Sequence, residues 1–444
     1  IEKIMSQAKR FYGVYDKPPL KESLPLSIQH LFAMFSASIL VPNIFGINPA
    51  VVLLFNGIGT LLFILLTKGG SPAYLGSSFA FIAPTLLLIN TPGRGYDYAL
   101  GGFVASGAVL VAVAVVVYFF GTSWINVILP PASMGAVVAL IGLELSGTAA
   151  KMGGIVLEGE GTIEPNRVLI FVLTILVAVL GSTLFRGFLS VIPILIAIVV
   201  GYVAAYFMGL VDFTPVQEAS ILSVPEFTHP IFDWTAILII LPATLVVVSE
   251  HIGHQLVTGQ IIEKNLLRDP GLHRSLAADG FSTMLSGCFG AVPTTTYGEN
   301  IGVMAITRVY STWVIGGTAV LSIALSFIGK VSGVIMAIPG EVMGGISFLL
   351  YGMIGVSGIR LLVDSKVNYS RPRNQALTAI PFVTGLSGAY IKLGEVKLTG
   401  MALATVVAMV LGILFFLLDH FDLTNDNEHK RANKKASLDV NTLK

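Results

Sequence analysis

The sequence is poor in charge. Only 11% of its 444 residues are Asp, Glu, Lys or Arg, against 54% hydrophobic residues and a mean hydropathy of +0.84. An ordinary soluble domain carries about 25% charged residues, so the composition is that of a polytopic membrane protein. The formal net charge is +1, which removes any broad basic face for nucleic acid and any global pull on cations. One cysteine, Cys288, excludes a disulfide framework and a CxxC metal site, and is read as a packing residue. No apolar h-region of a cleavable signal lies between Ile1 and Leu20, so targeting is expected to come from the first span.

Apolar stretches are abundant. They fall near residues 24–46, 50–67, 73–91, 98–120, 125–147, 166–185, 187–210, 232–258, 274–290, 293–308, 310–329, 335–358, 374–391 and 398–418, which makes about fourteen candidate spans. Pro and Gly punctuate several boundaries, among them Pro49, Pro72, Pro130-Pro131 and Gly187. On this parsing 20 of the 26 Lys and Arg residues collect on the side that also holds both termini. Both ends are therefore expected in the cytoplasm, with an even number of spans.

The chain also repeats itself. Gln29-His30 in the first segment answers Glu250-His251 in the eighth, and Gly76-Ser77-Ser78-Phe79 in the third answers Thr295-Thr296-Tyr297-Gly298 in the tenth, at similar separations. Seven segments per copy is an odd number, so the second copy would be inverted, a plan that puts a site at the repeat interface near the midplane.

Val248-Ser249-Glu250-His251-Ile252-Gly253-His254 lies inside one of the longest apolar runs. An ionised carboxylate there costs roughly 2.5–3.5 kcal/mol even on lenient scales, so it needs partners or a purpose. On a helix Glu250 and His254 share a face, while His251 is turned about 100° away. Glu250 and His254 are thus read as lining a cavity and exchanging a proton, and His251 as structural, so that His251→Ala should be milder than His254→Ala. Glu144, near a span end, and Asp279 are also read as structural.

Pro293 to Gly302 reads as an extended piece that turns into a short helix at Glu299-Asn300, and Tyr74 to Phe81 has the same form. Such breaks are tolerated at membrane depth only where the free backbone is buried in protein or lines a cavity. The first N–H groups of each half-helix would then meet a ligand's electronegative atoms. Phe79 adds a ring for stacking. Two carboxylates, an imidazole, an aromatic and two broken helices suit a small, flat, neutral ligand with donors and acceptors. A pyrimidine base fits: ring N–H groups to Glu250 and Glu299, carbonyls to half-helix N–H groups, and its face to Phe79 or Tyr297. A buried carboxylate beside an imidazole can also take and release a proton, which makes coupling to a proton gradient natural. No nucleophile motif, metal-ligand set or cofactor motif accompanies Glu250 and His254, so an intramembrane enzyme is not expected. A passive channel and an anion transporter of the same fold stand as competing readings.

Pro25 to Phe35, Tyr74 to Phe81, Ser249 to His254, and Glu299-Asn300-Ile301-Gly302 with Thr307-Arg308 together resemble the nucleobase/ascorbate transporter family. The last matches its signature of an acid or amide, Asn-x-Gly, four residues and Thr-Arg. The likeness runs from about Pro18 to Leu418 and is strongest to uracil-carrying bacterial members. It implies an all-α fold of fourteen segments in two inverted repeats of seven, with breaks in segments 3 and 10. It further implies a cytoplasmic N-terminal segment (1–23), a core domain (24–120 and 231–331), a gate domain (121–230 and 332–420) and a cytoplasmic tail (421–444). Carried over by position, Glu250 and Glu299 hydrogen-bond the base, Phe79 and Gly298 donate backbone N–H groups, and Glu250, His254 and Glu299 take part in proton coupling. His30, Tyr297, Asn300 and Tyr351 stand near the site in support. The implied activity is proton-coupled uracil import across the bacterial inner membrane by alternating access, in a homodimer and without cofactor. Another nucleobase of the xanthine or uric acid type is the alternative. The proline at 381, in segment 13, departs from the expected pattern.

Overall fold

The computed structural model describes residues 12–157, 162–186, 189–190, 192–393, 396–421 and 423–424. Most of the expected tail and the first part of the N-terminal segment lie outside them. Helices dominate, and eight of those described are long and apolar enough to cross a membrane. They are α1 (Leu20–Phe45), α2 (Pro49–Leu66), α4 (Tyr96–Phe120), α6 (Pro131–Met152), α7 (Pro165–Leu184), α10 (Trp234–Ile261), α15 (Gly340–Asp364) and α17 (Gly400–His420). Between them run α3 (Ile82–Ile89), α5 (Ser123–Ile128), α8 (Pro193–Phe207), α9 (Thr214–Glu218), α11 (Leu272–Phe289), α12 (Gly298–Thr307), α13 (Thr312–Ser326), α14 (Gly329–Met336) and α16 (Pro372–Leu386).

Local chemistry sets the ends. Asn48 accepts the N–H of Ala50 at 2.9 Å ahead of α2, and Asp233 accepts that of Ala236 at 2.8 Å ahead of α10, each satisfying a donor the helix start leaves free. α1 starts at Leu20, ahead of the apolar run, because Pro19 sits at its cap and Glu22 suits the positive end of the helix in its first turn. The expected segment at 125–147 is instead two helices, α5 and α6, because Pro130 denies an N–H to the first and Pro131 opens the second. Pro381 is carried inside α16.

The fold is not purely helical. β1 (Leu75–Ser77) and β2 (Thr294–Thr296) pair antiparallel, with Leu75 opposite Thr296, Gly76 opposite Thr295 and Ser77 opposite Thr294. β3 (Tyr390–Leu393) and β4 (Val396–Thr399) form a hairpin just before α17. The first pair is where the expected breaks in segments 3 and 10 meet. The second falls at the end of the expected segment 13, where the alternation of apolar and polar residues over 390–399 favours strands over helix.

The helices pack in two sets. In one, α4 lies on α11, α2 on α13, α10 on α4 and α1 on α13; in the other, α6 lies on α15, α7 on α8, α16 on α17, α15 on α7 and α16 on α6. Small residues let these backbones approach. A Cβ at Gly107 would meet the carbonyl of Gly280 across the α4–α11 contact, and one at Gly358 would strike the backbone of Ala139 across the α6–α15 contact.

Candidate functional site

The site is built on the β1–β2 crossing. Thr, Ser and Gly suit it: short side chains allow two strands from distant parts of the chain to pair where neither belongs to a larger sheet. The ladder continues one residue past each strand, Ser78 N–H donating to the Pro293 carbonyl at 2.8 Å and Tyr297 N–H to the Tyr74 carbonyl at 3.0 Å. Each chain then turns into a half-helix. The first begins as a 3₁₀ turn over Phe79–Phe81 and continues as α3; the second is α12. Helix starts leave their first N–H groups without intrahelical acceptors, which puts the amides of Phe79 and Gly298 at the two ends of the crossing as donors. Glu299, in the first turn of α12, is favoured there by the helix dipole.

Gly76 is required by close approach. A Cβ at that position would overlap the ring of Tyr297, whose hydroxyl donates to the Ser77 carbonyl at 3.2 Å. The aromatic thus locks the two strands together. At Gly298 a Cβ would only touch Nε2 of His254, at 3.4 Å, which places the imidazole beside the start of α12.

α10 supplies the titratable groups. His254 Nδ1 lies 2.9 Å from the Thr296 hydroxyl, so the imidazole is fixed against β2 beside the start of α12. Glu250, one turn earlier on the same face, is half-buried and within electrostatic reach of Glu299 and Asp279. His251 points elsewhere, as periodicity requires, but it has a partner. Its Nδ1 sits 3.1 Å from Oδ2 of Asp279 with both side chains fully buried. Asp279 Oδ1 in turn lies 3.2 Å from the Thr294 hydroxyl, which is also 2.8 Å from Ser282 Oγ. Asp279 therefore does not act within its own segment; it joins α10 and α11 to β2. The expectation that His251→Ala is mild does not follow from this arrangement.

α1 braces the other side. The Asn300 amide donates to the His30 carbonyl and stands against His30 Nδ1, both at 3.1 Å, so the first turn of α12 is tied to α1 through two buried residues. Tyr351 is buried on α15, where its backbone carbonyl lies against Gly142 of α6, in the other helix set. The structure thus brings Phe79, Glu250, His254, Tyr297, Gly298, Glu299, Asn300 and His30 to one crossing, and sets Tyr351 in the neighbouring helix packing.

Sequence reasoning missed several polar residues. Ser71 donates to Gln255 Oε1 at 2.9 Å between two fully buried side chains, a link whose only sequence signal is a Gln one residue beyond His254. The hydroxyls of Ser77, Ser78 and Thr295 at the crossing are buried and without a hydrogen-bond partner among the described residues. Glu144, read as structural near a span end, lies within α6 and accepts the N–H of Met401 at 2.7 Å, a partner that no local signal announces.

Comparison with known proteins follows from this geometry. The sequence profile described as the Permease family matches residues 21–394. The chain belongs to that family. Among its relatives is the uracil permease of Escherichia coli K12, 56% identical over 411 residues, covering 92% of this chain and 95% of the relative. Uracil permeases of Paenibacillus larvae (52% identical; 94% and 99% covered) and Bacillus subtilis (43%; 92% and 96%) are also similar. These permeases are transporters rather than enzymes. In three dimensions the fold resembles the transmembrane domain of the cyanobacterial bicarbonate transporter BicA, with a TM-score of 0.60 at 14% identity over 92% of this chain and 99% of that one. It also resembles murine Slc26a9, an anion transporter captured facing inward, with a TM-score of 0.67 at 11% identity over 91% and 69%. At such identities the likeness concerns the fold alone.

Proposed function

We propose that this permease imports uracil together with protons across the bacterial inner membrane by alternating access. The observation that carries this reading is the crossing itself, which opposes two half-helix starts and sets Glu250, His254 and Glu299 beside them. A planar base has ring N–H donors for Glu250 and Glu299, and carbonyl acceptors for the amides of Phe79 and Gly298. His254, held through Nδ1 by Thr296, keeps Nε2 toward the start of α12, where a proton can pass between imidazole and carboxylate. The uracil permeases among its relatives favour this base over a xanthine-type ligand, and the two carboxylates at the crossing favour a neutral ligand over an anion.

The set containing α1–α4 and α10–α13 is assigned as the core, and the set containing α6–α8 and α15–α17 as the gate past which it moves. Tyr351 is then a gate residue that closes on the base. The packing supports two inverted copies: α2 on α13 mirrors α11 on α4, α1 on α13 mirrors α10 on α4, and α7 on α8 mirrors α16 on α17. In this reading fourteen segments cross or enter the membrane, both termini are cytoplasmic, and two copies associate through their gates.

The test is labelled uracil uptake in a strain lacking its own permease, with and without a protonophore. Concentrative uptake abolished by the protonophore is expected, and Glu250→Gln or Glu299→Gln should reduce it to background. Absence of uptake would refute the substrate, and uptake indifferent to the proton gradient would refute the coupling.

A further inference from the structure

Glu144 is the charged side chain of a second cavity, away from the crossing. The cavity holds about 250 Å³ and lies between the two helix sets, with Ala83 and Leu87 of α3 and Asn90 at its C-cap on one wall and Glu144, Thr148 and Thr399 on the other. At about 30 Å³ per water it has room for a single-ring ligand. α3 is the half-helix that starts at Phe79, so the cavity sits along the helix whose first amide is assigned to the ligand. Its wall reaches Asn90 at the C-terminal end of α3. That end points away from the face where the backbone N–H of Tyr12 donates to the carbonyl of Arg308 at the end of α12, because the two half-helices leave the crossing in opposite directions.

The carboxylate is placed by construction. Its Oε2 accepts the N–H of Met401 in the first turn of α17, and Gly400 adopts φ +56, where a Cβ would fall on the carboxylate. Capping alone does not explain an acid here. Thr399 already occupies the N-cap position of α17, where a hydroxyl can satisfy a first-turn N–H, yet its side chain makes no such bond. A carboxylate has two oxygens with about four acceptor positions, and among the described residues only Oε2 is engaged. Oε1 packs beside Gly400 and accepts no hydrogen bond among the described residues, and the carboxylate lines a cavity whose other lining side chains are apolar or neutral. Ionisable residues inside a membrane protein are retained at a cost and mark ligand pathways.

We propose that Glu144 is a vestibule acceptor: it takes a ring N–H of a neutral, planar heterocycle as the ligand passes between α3 and the α6–α17 pair on its way to the crossing. This rests on the reading that the protein carries a pyrimidine base. It adds a subsite on the other helix set, met before Glu250 and Glu299.

The experiment compares wild type, Glu144→Gln and Glu144→Ala for initial rates of labelled uracil uptake, for equilibrium uracil binding to purified protein, and for thermal stability in detergent. The Gln variant keeps an amide oxygen for Met401 but turns an N–H2 donor toward the cavity. It is expected to melt with wild type and to bind uracil with unchanged Kd at the crossing, while kcat/KM for uptake falls at least about tenfold, as the loss of one charge-assisted hydrogen bond in transit implies. The Ala variant should lose stability as well. If Glu144→Gln keeps kcat/KM within twofold of wild type, the subsite is refuted and the carboxylate is only a tie between α6 and α17. If kcat/KM falls in proportion to a weakened Kd or a lowered melting temperature, the effect is structural and the subsite is again refuted. Failure of wild type to take up uracil would overturn the substrate and this subsite together, which separates that failure from the other two.

Discussion

Replacing His251 by Ala tests how the crossing is held. The imidazole is fully buried, and so is the carboxylate it faces at 3.1 Å. The ring of Phe63 lies edge to face with it at 6.2 Å. Removing the hydrogen-bond partner of a buried carboxyl group costs about 1–3 kcal/mol, because the remaining group keeps its desolvation cost and loses its compensation. Thr294 stays beside Asp279 and offsets part of this, so about 2 kcal/mol is expected. His251→Asn, whose side-chain amide can take the place of Nδ1, should recover part of the loss. The assay is thermal unfolding in detergent, followed by the monodisperse fraction that survives heating. The paired replacement His251→Ala with Asp279→Leu should cost less than the sum of the single changes, since neither then leaves a buried group alone. Additive losses would show that the two side chains are not coupled. A His251→Ala protein that melts with wild type would refute the reasoning outright. One that melts with wild type but no longer transports would move His251 from the scaffold into the transport chemistry.

Further substitutions probe the same construction. Gly76→Ala should destabilise by about 1–3 kcal/mol through overpacking against Tyr297 and abolish uracil uptake; Gly302→Ala, whose Cβ meets open space, should leave uptake intact and serves as the control. Asn300→Ala should cost about 1–3 kcal/mol by leaving His30 without its partner, seen as a lower melting temperature. Arg167 pairs with Glu341 at 2.8 Å, the arginine about half exposed and the glutamate buried. Arg167→Leu should therefore destabilise more than Glu341→Leu, because only the first leaves a buried carboxylate unpaired; equal melting temperatures would contradict this.

The positions of most helices are legible in the sequence because apolar length and Pro or Gly punctuation are local signals. Glu250 and His254 sharing a face is also local, and so are the extended pieces at 75–77 and 294–296. What pairs with what is not. Nothing near Gly76 indicates that Tyr297, more than two hundred residues on, will lie over it, nor does Asp279 announce His251 across a helix contact. Glu144 is similar: a place near a span end, followed by Ser146-Gly147 and Lys151, makes it look like an interfacial acid, while its partner is the amide of Met401 in another helix. The paired strands β3 and β4 did carry a local signal, the alternation of apolar and polar residues, but the apolar run before them draws the reading toward a longer span.

The links around β2 bear on how such a protein can move. Thr294 is tied to Asp279 and Ser282 of α11, Thr296 to His254 of α10, Tyr297 to Ser77 of β1, and Asn300 to His30 of α1. Three helices, β1 and the first turn of α12 are therefore joined through four residues between Thr294 and Asn300, with nearly every link buried. Opening the crossing would break several of these bonds at once, each leaving polar groups unpaired at about 1–3 kcal/mol. A slide between the two helix sets breaks far fewer, since the close glycine contacts of α4 with α11 and of α6 with α15 lie within a set. The physical economy favours carrying the ligand groups as one rigid body past the other set. It follows that a disulfide between α10 and α11, within one set, should leave uptake unchanged, whereas one between α3 and α17, across the two sets, should stop it until it is reduced. Arrest by the first and tolerance of the second would mean that the crossing itself opens.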